Sequence, residues 1–151
     1  MKNIDKLDKL DIDLINQLIV DSSISIPVLS KKTGVNTSVL YSRINRLVHN
    51  NIIEKFTISL NRTKLGFSVK AFVGINIEAK FKDNIYNQLI NVYEIMSVSQ
   101  ITGRFDAILT IYVKNLQDLH TVINEKLNKI NGITNTEIFI ELQNYQNDRL
   151  H

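Results

Sequence analysis

Apolar residues recur every three to four positions through the first fifty residues and at every second position through much of the remainder. In residues 8–21, Ile12, Ile15, Leu18 and Ile19 fall at helical spacing. Asp8 and Asp11 sit where the positive end of such a helix favours acids. Ser25 offers an N-cap to a short second helix, with Pro27 close behind it, where a missing N–H costs nothing. Val28, Leu29 and Thr33 continue that helix and Gly34 stops it. Asn36 can cap a third helix in which Leu40, Ile44 and Leu47 share one face, while Thr37, Ser38, Tyr41, Ser42, Arg43, Asn45 and Arg46 take the opposite one. Two short helices joined by a glycine-bearing turn, the second polar and basic outward, predict a helix-turn-helix.

The period then shortens. Residues 52–60 alternate like a strand, the polar run Asn61–Lys64 follows, and Leu65-Gly66 closes it, which marks residues 52–66 as a strand hinge between domains 1–51 and 67–151. Beyond it Val69, Ala71, Val73, Ile75 and Ile77 alternate with Lys70, Phe72, Gly74, Asn76 and Glu78 as a strand does. Asp83 can cap a helix carrying Ile85, Leu89 and Ile90. A strand near Ile95–Thr102 turns at Gly103-Arg104-Phe105-Asp106 into another over Ala107–Val113. Asn115 can cap a helix striped by Leu116, Leu119, Ile123, Leu127 and Ile130, and after Asn131-Gly132 a last strand alternates Ile138, Ile140 and Leu142 with Glu137, Phe139 and Glu141. The order βαββαβ predicts a ferredoxin-like sandwich, so the fold class is α+β.

Charge adds one piece of information. The net charge of +3 says little, but Lys31 to Lys64 carries seven bases against one acid, whereas residues 1–30 sum to −2 and residues 67–151 to −1. Positive charge gathered in one stretch suits a phosphate-facing surface. Arg43 and Arg46 could contact phosphate or guanine edges, and the small hydroxyl and amide residues near the start of the third helix could reach bases or phosphates. The expected DNA contacts are Lys31, Lys32, Asn36, Thr37, Ser38, Tyr41, Ser42, Arg43 and Arg46 on double-stranded DNA.

Several chemistries find no residues. The chain has no cysteine, hence no disulfide, thiolate metal site or cysteine nucleophile. His49, His120 and His151 lack ligand spacing, so no metal and no other cofactor is expected. Glu137 and Glu141 share a strand face, where a polar sheet surface or an oligomer contact accounts for them more simply than paired catalytic carboxylates. No phosphate loop or nucleophile elbow occurs, and no enzyme is expected. The charged N-terminus is unlike a signal peptide, and no window approaches the roughly 18 uninterrupted apolar residues of a membrane span, so a cytoplasmic protein is expected.

This layout resembles the Lrp/AsnC family of transcriptional regulators. Leu10-Asp11-Ile12-Asp13, leading to Leu18 and Asp21, resembles the family's opening helix, and Leu29 through Asn36 its first helix and turn. Val39-Leu40-Tyr41-Ser42-Arg43-Ile44-Asn45-Arg46-Leu47 resembles its recognition helix, Gly103-Arg104-Phe105-Asp106 its Gly-x-aromatic-Asp turn, and Asn131-Gly132-Ile133 the turn before its last strand. The resemblance implies dimers paired through the second domain's sheets, with tetramers, octamers or larger rings built from them. It also implies an amino-acid effector between dimers, which by position nominates Gly103, Arg104, Phe105, Asp106 and Thr136. Three positions depart from the pattern: Ile138 replaces a second hydroxyl residue, Arg104 places a bulky cation in the pocket region, and Asn50-Asn51 stands where a glycine is common.

Two other functions fit the same residues. An architectural protein that condenses DNA without an effector would bind operator and random DNA alike, with steep salt dependence. A metabolite-binding subunit of an enzyme system would use the helical region only as an interaction module, and would be indifferent to loss of Arg43 and Arg46.

Overall fold

The first helix, α1 (Lys9–Val20), starts where it does because two aspartates cap it reciprocally: the Asp11 N–H donates to the Asp8 carboxylate at 2.9 Å and the Asp8 N–H to the Asp11 carboxylate at 3.1 Å. In the computed structural model, which describes residues 6–147, α2 (Ile26–Thr33) follows with Pro27 in its first turn; Ser25 holds the cap position without a side-chain bond. Gly34 stops α2 with φ of 70°, its N–H donating to the Ser30 carbonyl at 2.8 Å. Asn36 then caps α3 (Thr37–His49), accepting the Ser38 N–H at 2.9 Å.

Leu14, Leu29 and Leu40, one from each helix, are fully buried against one another, with Leu10, Leu18 and Ile44 around them. Burial of each such side chain contributes about 1.5–3 kcal/mol, which holds three short helices that would not persist alone. Asn51 leaves α3 in the left-handed region at φ of 56°, which asparagine accepts.

Residues 52–60 depart from expectation. They carry a strand's alternation but form no ladder among the described residues. Strand pairing needs a partner backbone, and the described residues offer none there. Phe56, Ile58 and Leu60 stay exposed as a result, and between this segment and α1 lies an open groove of about 930 Å³ lined in part by Ile15, Ile19 and Phe56.

The chain divides into two units between Ser59 and Leu60. The second is a four-stranded antiparallel sheet of order β2-β3-β1-β4, built from β1 (Val69–Ile77), β2 (Ile95–Gln100), β3 (Ala107–Val113) and β4 (Ile133–Ile140). Helix α4 (Lys82–Ile90) crosses from β1 to β2 and α5 (Leu116–Thr121) from β3 to β4, giving the βαββαβ sandwich. Alternate residues of β1 (Ala71, Val73, Ile75, Ile77) and β3 (Ala107, Leu109, Ile111, Val113) meet Ile85, Leu89, Leu119 and Leu127 in one core.

Local boundaries shift in three places. Phe81, not Asp83, precedes α4, so Asp83 lies inside the first turn. The stripe from Leu116 to Ile130 is not one regular helix: α5 passes into a wider turn over Val122–Lys126 and a tighter one over Leu127–Lys129, and Leu116 is exposed. Strand β4 begins at Ile133, because a register shift opposite Asn76 and Ile77 lets pairing continue past the turn.

Candidate nucleic-acid interface

The N-terminal unit presents one polar helical surface. Asn36, Thr37, Ser38, Tyr41, Ser42 and Asn45 are all exposed, Tyr41 to 59%, while Leu40 and Leu47 on the opposite side are buried. Asn36 is pinned by its own cap, its Oδ1 accepting both the Ser38 N–H and the Ser38 hydroxyl. Lys31 and Lys32 are exposed in the last turn of α2, where cations suit the negative end of the helix.

The two arginines lie elsewhere. Arg43 Nη1 donates to Asp11 Oδ1 at 3.0 Å and also to Asp8 Oδ2, and Arg46 Nη2 donates to Asp11 Oδ2 at 2.6 Å. Asp11 is fully buried, so its carboxylate needs charged partners, and the arginines supply them. The Asp8 carboxyl is held below its ordinary value by Arg43 first and by the Asp11 N–H, and Arg43 is correspondingly raised by Asp8 and Asp11. Arg43 thus turns toward α1: at about 100° per residue it lies only about 40° from Leu47, and Arg46 falls between it and the polar surface. Of the seven bases between Lys31 and Lys64, Arg62 also packs inward, its guanidinium 4.6 Å from the centre of the Tyr112 ring.

In the second unit Gly103, Arg104, Phe105 and Asp106 form one turn between β2 and β3, with Gly103 at φ of 129°. Phe105 folds back over Gly74 on the sheet face away from the helices and meets Phe139 edge-on at 6.2 Å. The Asp106 N–H donates to the Ile75 carbonyl at 2.9 Å, and Thr136 pairs with Ile75 from the other side, so the five nominated effector residues share one end of the sheet. The Asp106 carboxylate accepts the Ile77 N–H at 2.8 Å and pairs with Lys82 at 3.2 Å; these two donors, in that order, hold it below its usual range.

Three participants in this turn escaped sequence reasoning. Lys82 pairs with Asp106, Asn76 donates to the Arg104 carbonyl at 2.9 Å, and Glu137 accepts from Arg104 Nη2 at 3.2 Å. Each comes from an element 24 to 33 positions away from its partner, and no local pattern marks such pairs. Glu137 in β4 and Glu141 just past it serve separate cations, Glu137 taking Arg104 and Glu141 taking Lys70 at 2.7 Å. His49 is exposed at the end of α3, the His120 ring bonds to Asn124 at 2.8 Å, and His151 lies outside the described residues. Among the described residues no group of three His, Cys, Asp or Glu side chains is placed to hold a metal ion, and no helix is long and apolar enough to cross a membrane.

Comparison with known proteins agrees with this geometry. The profile of the Lrp/AsnC ligand binding domain matches residues 70–150 and that of a winged helix-turn-helix DNA-binding domain matches residues 7–54. An HTH-type transcriptional regulator of Pyrococcus horikoshii is 32% identical over 89% of this chain and 85% of its own length. Another, of Pyrococcus furiosus, is 31% identical over 91% and 90%. Among solved structures, Escherichia coli AsnC aligns with a TM-score of 0.85 at 25% identity, covering 92% of this chain and 94% of that one. A Neisseria meningitidis transcriptional regulator, solved as its L-Met complex, has the same fold with a TM-score of 0.90 at 17% identity, covering 97% of each chain. The helical unit is thus a DNA-binding module and the sandwich a ligand-binding domain, the two parts of a regulator rather than of an enzyme. The chain belongs to the Lrp/AsnC family of transcriptional regulators.

Proposed function

We propose that this regulator reads duplex DNA with the N-terminal half of α3 and the cationic end of α2. Lys31, Lys32, Asn36, Thr37, Ser38, Tyr41 and Ser42 supply the contacts. Residues 1–51 act as the reader, 52–66 as the hinge, and 67–151 as the effector and assembly domain. The observation that carries this reading is the row of exposed hydrogen-bonding side chains along α3, backed by a leucine core that keeps the helix rigid. A major groove about 12 Å wide admits one helix. The hydroxyl and amide groups reach base edges there, while the two lysines neutralise phosphates alongside.

Copies join through the second domain. The sheet face away from the helices carries Phe72, Tyr112 and Phe139, and edge strand β4 leaves Ile138 and Ile140 nearly half exposed, apolar surface that a second copy would cover. A two-fold dimer offers two copies of α3 to half-sites about 34 Å apart, one helical turn. Association of dimers gives tetramers or octamers, acting in the cytoplasm.

An amino acid or related metabolite bound between dimers at Gly103–Asp106 modulates that assembly. Support comes from the Neisseria regulator and from a Mycobacterium tuberculosis feast or famine regulatory protein of the same fold, both solved with L-methionine. In this chain Arg104, with a side chain 75% exposed, suits a ligand carboxylate. Glu137, whose Oε2 is buried with no hydrogen-bond partner, suits an ammonium. One observation favours a second reading, DNA binding without an effector: Asp106 already has both of its partners within the chain.

The test is fluorescence anisotropy on duplexes selected from a random pool, together with footprinting and a thermal-shift screen of amino acids. Repeated protected half-sites and a ligand-dependent change in assembly are expected. A footprint with no preferred site at any salt concentration would end the sequence-specific reading, and a screen negative for every amino acid would leave the effector-free one.

A further inference from the structure

We infer that Asp11 is the positioning residue of the DNA-reading helix: its buried carboxylate clamps Arg43 and Arg46, sets how α3 is presented, and withdraws both guanidiniums from contact with DNA. The inference rests on the reading that α3 enters the groove.

Four side chains make the clamp. Asp8 caps α1 and Asp11 lies in its first turn, Arg43 and Arg46 lie one turn apart on α3, and the two pairs face each other. Asp11 receives a different arginine on each oxygen, at 3.0 and 2.6 Å, and Oδ2 also accepts the Asp8 N–H. Asp11 is the buried charged side chain of the described residues, at 0% exposure. An arginine that left it for a phosphate would strand an anion without water, so each arginine bond made to DNA would cost one of the bonds that order the helix. The four charges cancel. The field around the reading face then comes from Lys31 and Lys32, and the arginines act as struts between α1 and α3.

Counterion release separates a strut from a contact. Each phosphate contact adds about 0.9 to the slope of log K against log salt on duplex DNA. The experiment measures operator and random-duplex binding of the full chain between low and moderate potassium chloride for R43Q, R46Q and D11N, with a thermal melt for each. If the clamp positions α3, R43Q and R46Q leave the slope unchanged while the operator-over-random ratio falls at least tenfold, and R46K restores the ratio by restoring the ion pair. D11N frees Arg46 and leaves Arg43 held by Asp8 alone: random DNA is bound more tightly, with a slope steeper by about one, and selectivity drops.

A slope lowered by about one in either arginine variant overturns the inference, because that arginine then touches phosphate. So does an operator-over-random ratio that survives all three substitutions. If D11N does not fold, the two arginine variants decide alone. Y41A checks the premise separately: operator binding that survives it refutes α3 as the reading helix, whatever the clamp variants do.

Discussion

Phe105 occupies the space that a side chain on Gly74 would need: a Cβ built there stands 2.6 Å from the Phe105 ring. The aromatic of the turn is therefore sheet packing, laid on β1 beside Phe139, and the glycine in mid-strand is its seat. Gly74→Ala should destabilise the second unit by about 1–3 kcal/mol, the usual cost of overpacking. Because the clash is with one ring, the G74A/F105L double variant should recover part of the loss. Thermal melts of the four proteins measure the coupling, and a double variant no more stable than G74A would remove Phe105 as the cause.

Gly132 is constrained twice where Gly66 is constrained once. Both have positive φ, 105° and 91°, but a Cβ at Gly132 would meet the Cβ of Phe81 at 2.6 Å, whereas at Gly66 nothing lies within 4 Å. The Gly132 carbonyl also accepts the Glu78 N–H at 2.8 Å, which ties the turn to the end of β1. Gly132→Ala should cost about 2–4 kcal/mol, backbone strain and clash together, and Gly66→Ala about 1–2 kcal/mol from strain alone. Equal losses in denaturant titration would mean that Phe81 gives way freely.

These constraints show what the linear chain makes legible. Caps and breakers act within a few residues, so Asn36, Gly34 and Asn115 announced their helices, and the alternation of β1 and β3 announced a sheet with one covered face. The clamp was not legible, since Asp11 and Arg46 stand 35 positions apart and charge counting cannot tell a free cation from a paired one. Residues 52–60 carry a strand pattern with no pairing partner among the described residues. Periodicity records which side chains avoid water, and says nothing about what covers them.

Acid should loosen the Gly103–Asp106 turn. Asp106, held below its ordinary value of 3.8 by the Ile77 N–H and then by Lys82, binds its proton less readily folded than unfolded. Its contribution is therefore complete above 3.8 and drains away as pH falls through the lower folded value. Asp8 and Asp21 act in the same direction in the first unit, through Arg43 and through the Ser23 hydroxyl. Melting followed from neutral pH down into this range should fall less steeply in Asp106→Asn than in the parent. Parallel curves would deny Asp106 that role.

Lys31 and Lys32 should behave as phosphate contacts, unlike the arginines of α3. Both are exposed at the end of α2 and neither forms a salt bridge among the described residues, although Asp21 lies close enough to feel the charge of Lys32. Neutralising a lysine at a phosphate weakens binding to every sequence alike, because a point charge near the backbone carries no information about bases. Lys31→Ala and Lys32→Ala should each lower the salt slope by about one and leave the operator-over-random ratio unchanged. Ala is well tolerated in a helix, so neither change should disturb α2 itself. Anisotropy titrations at four or more salt concentrations decide the matter. A slope that stays put in both variants would move the phosphate-binding edge away from α2, and with it the direction in which α3 approaches the groove.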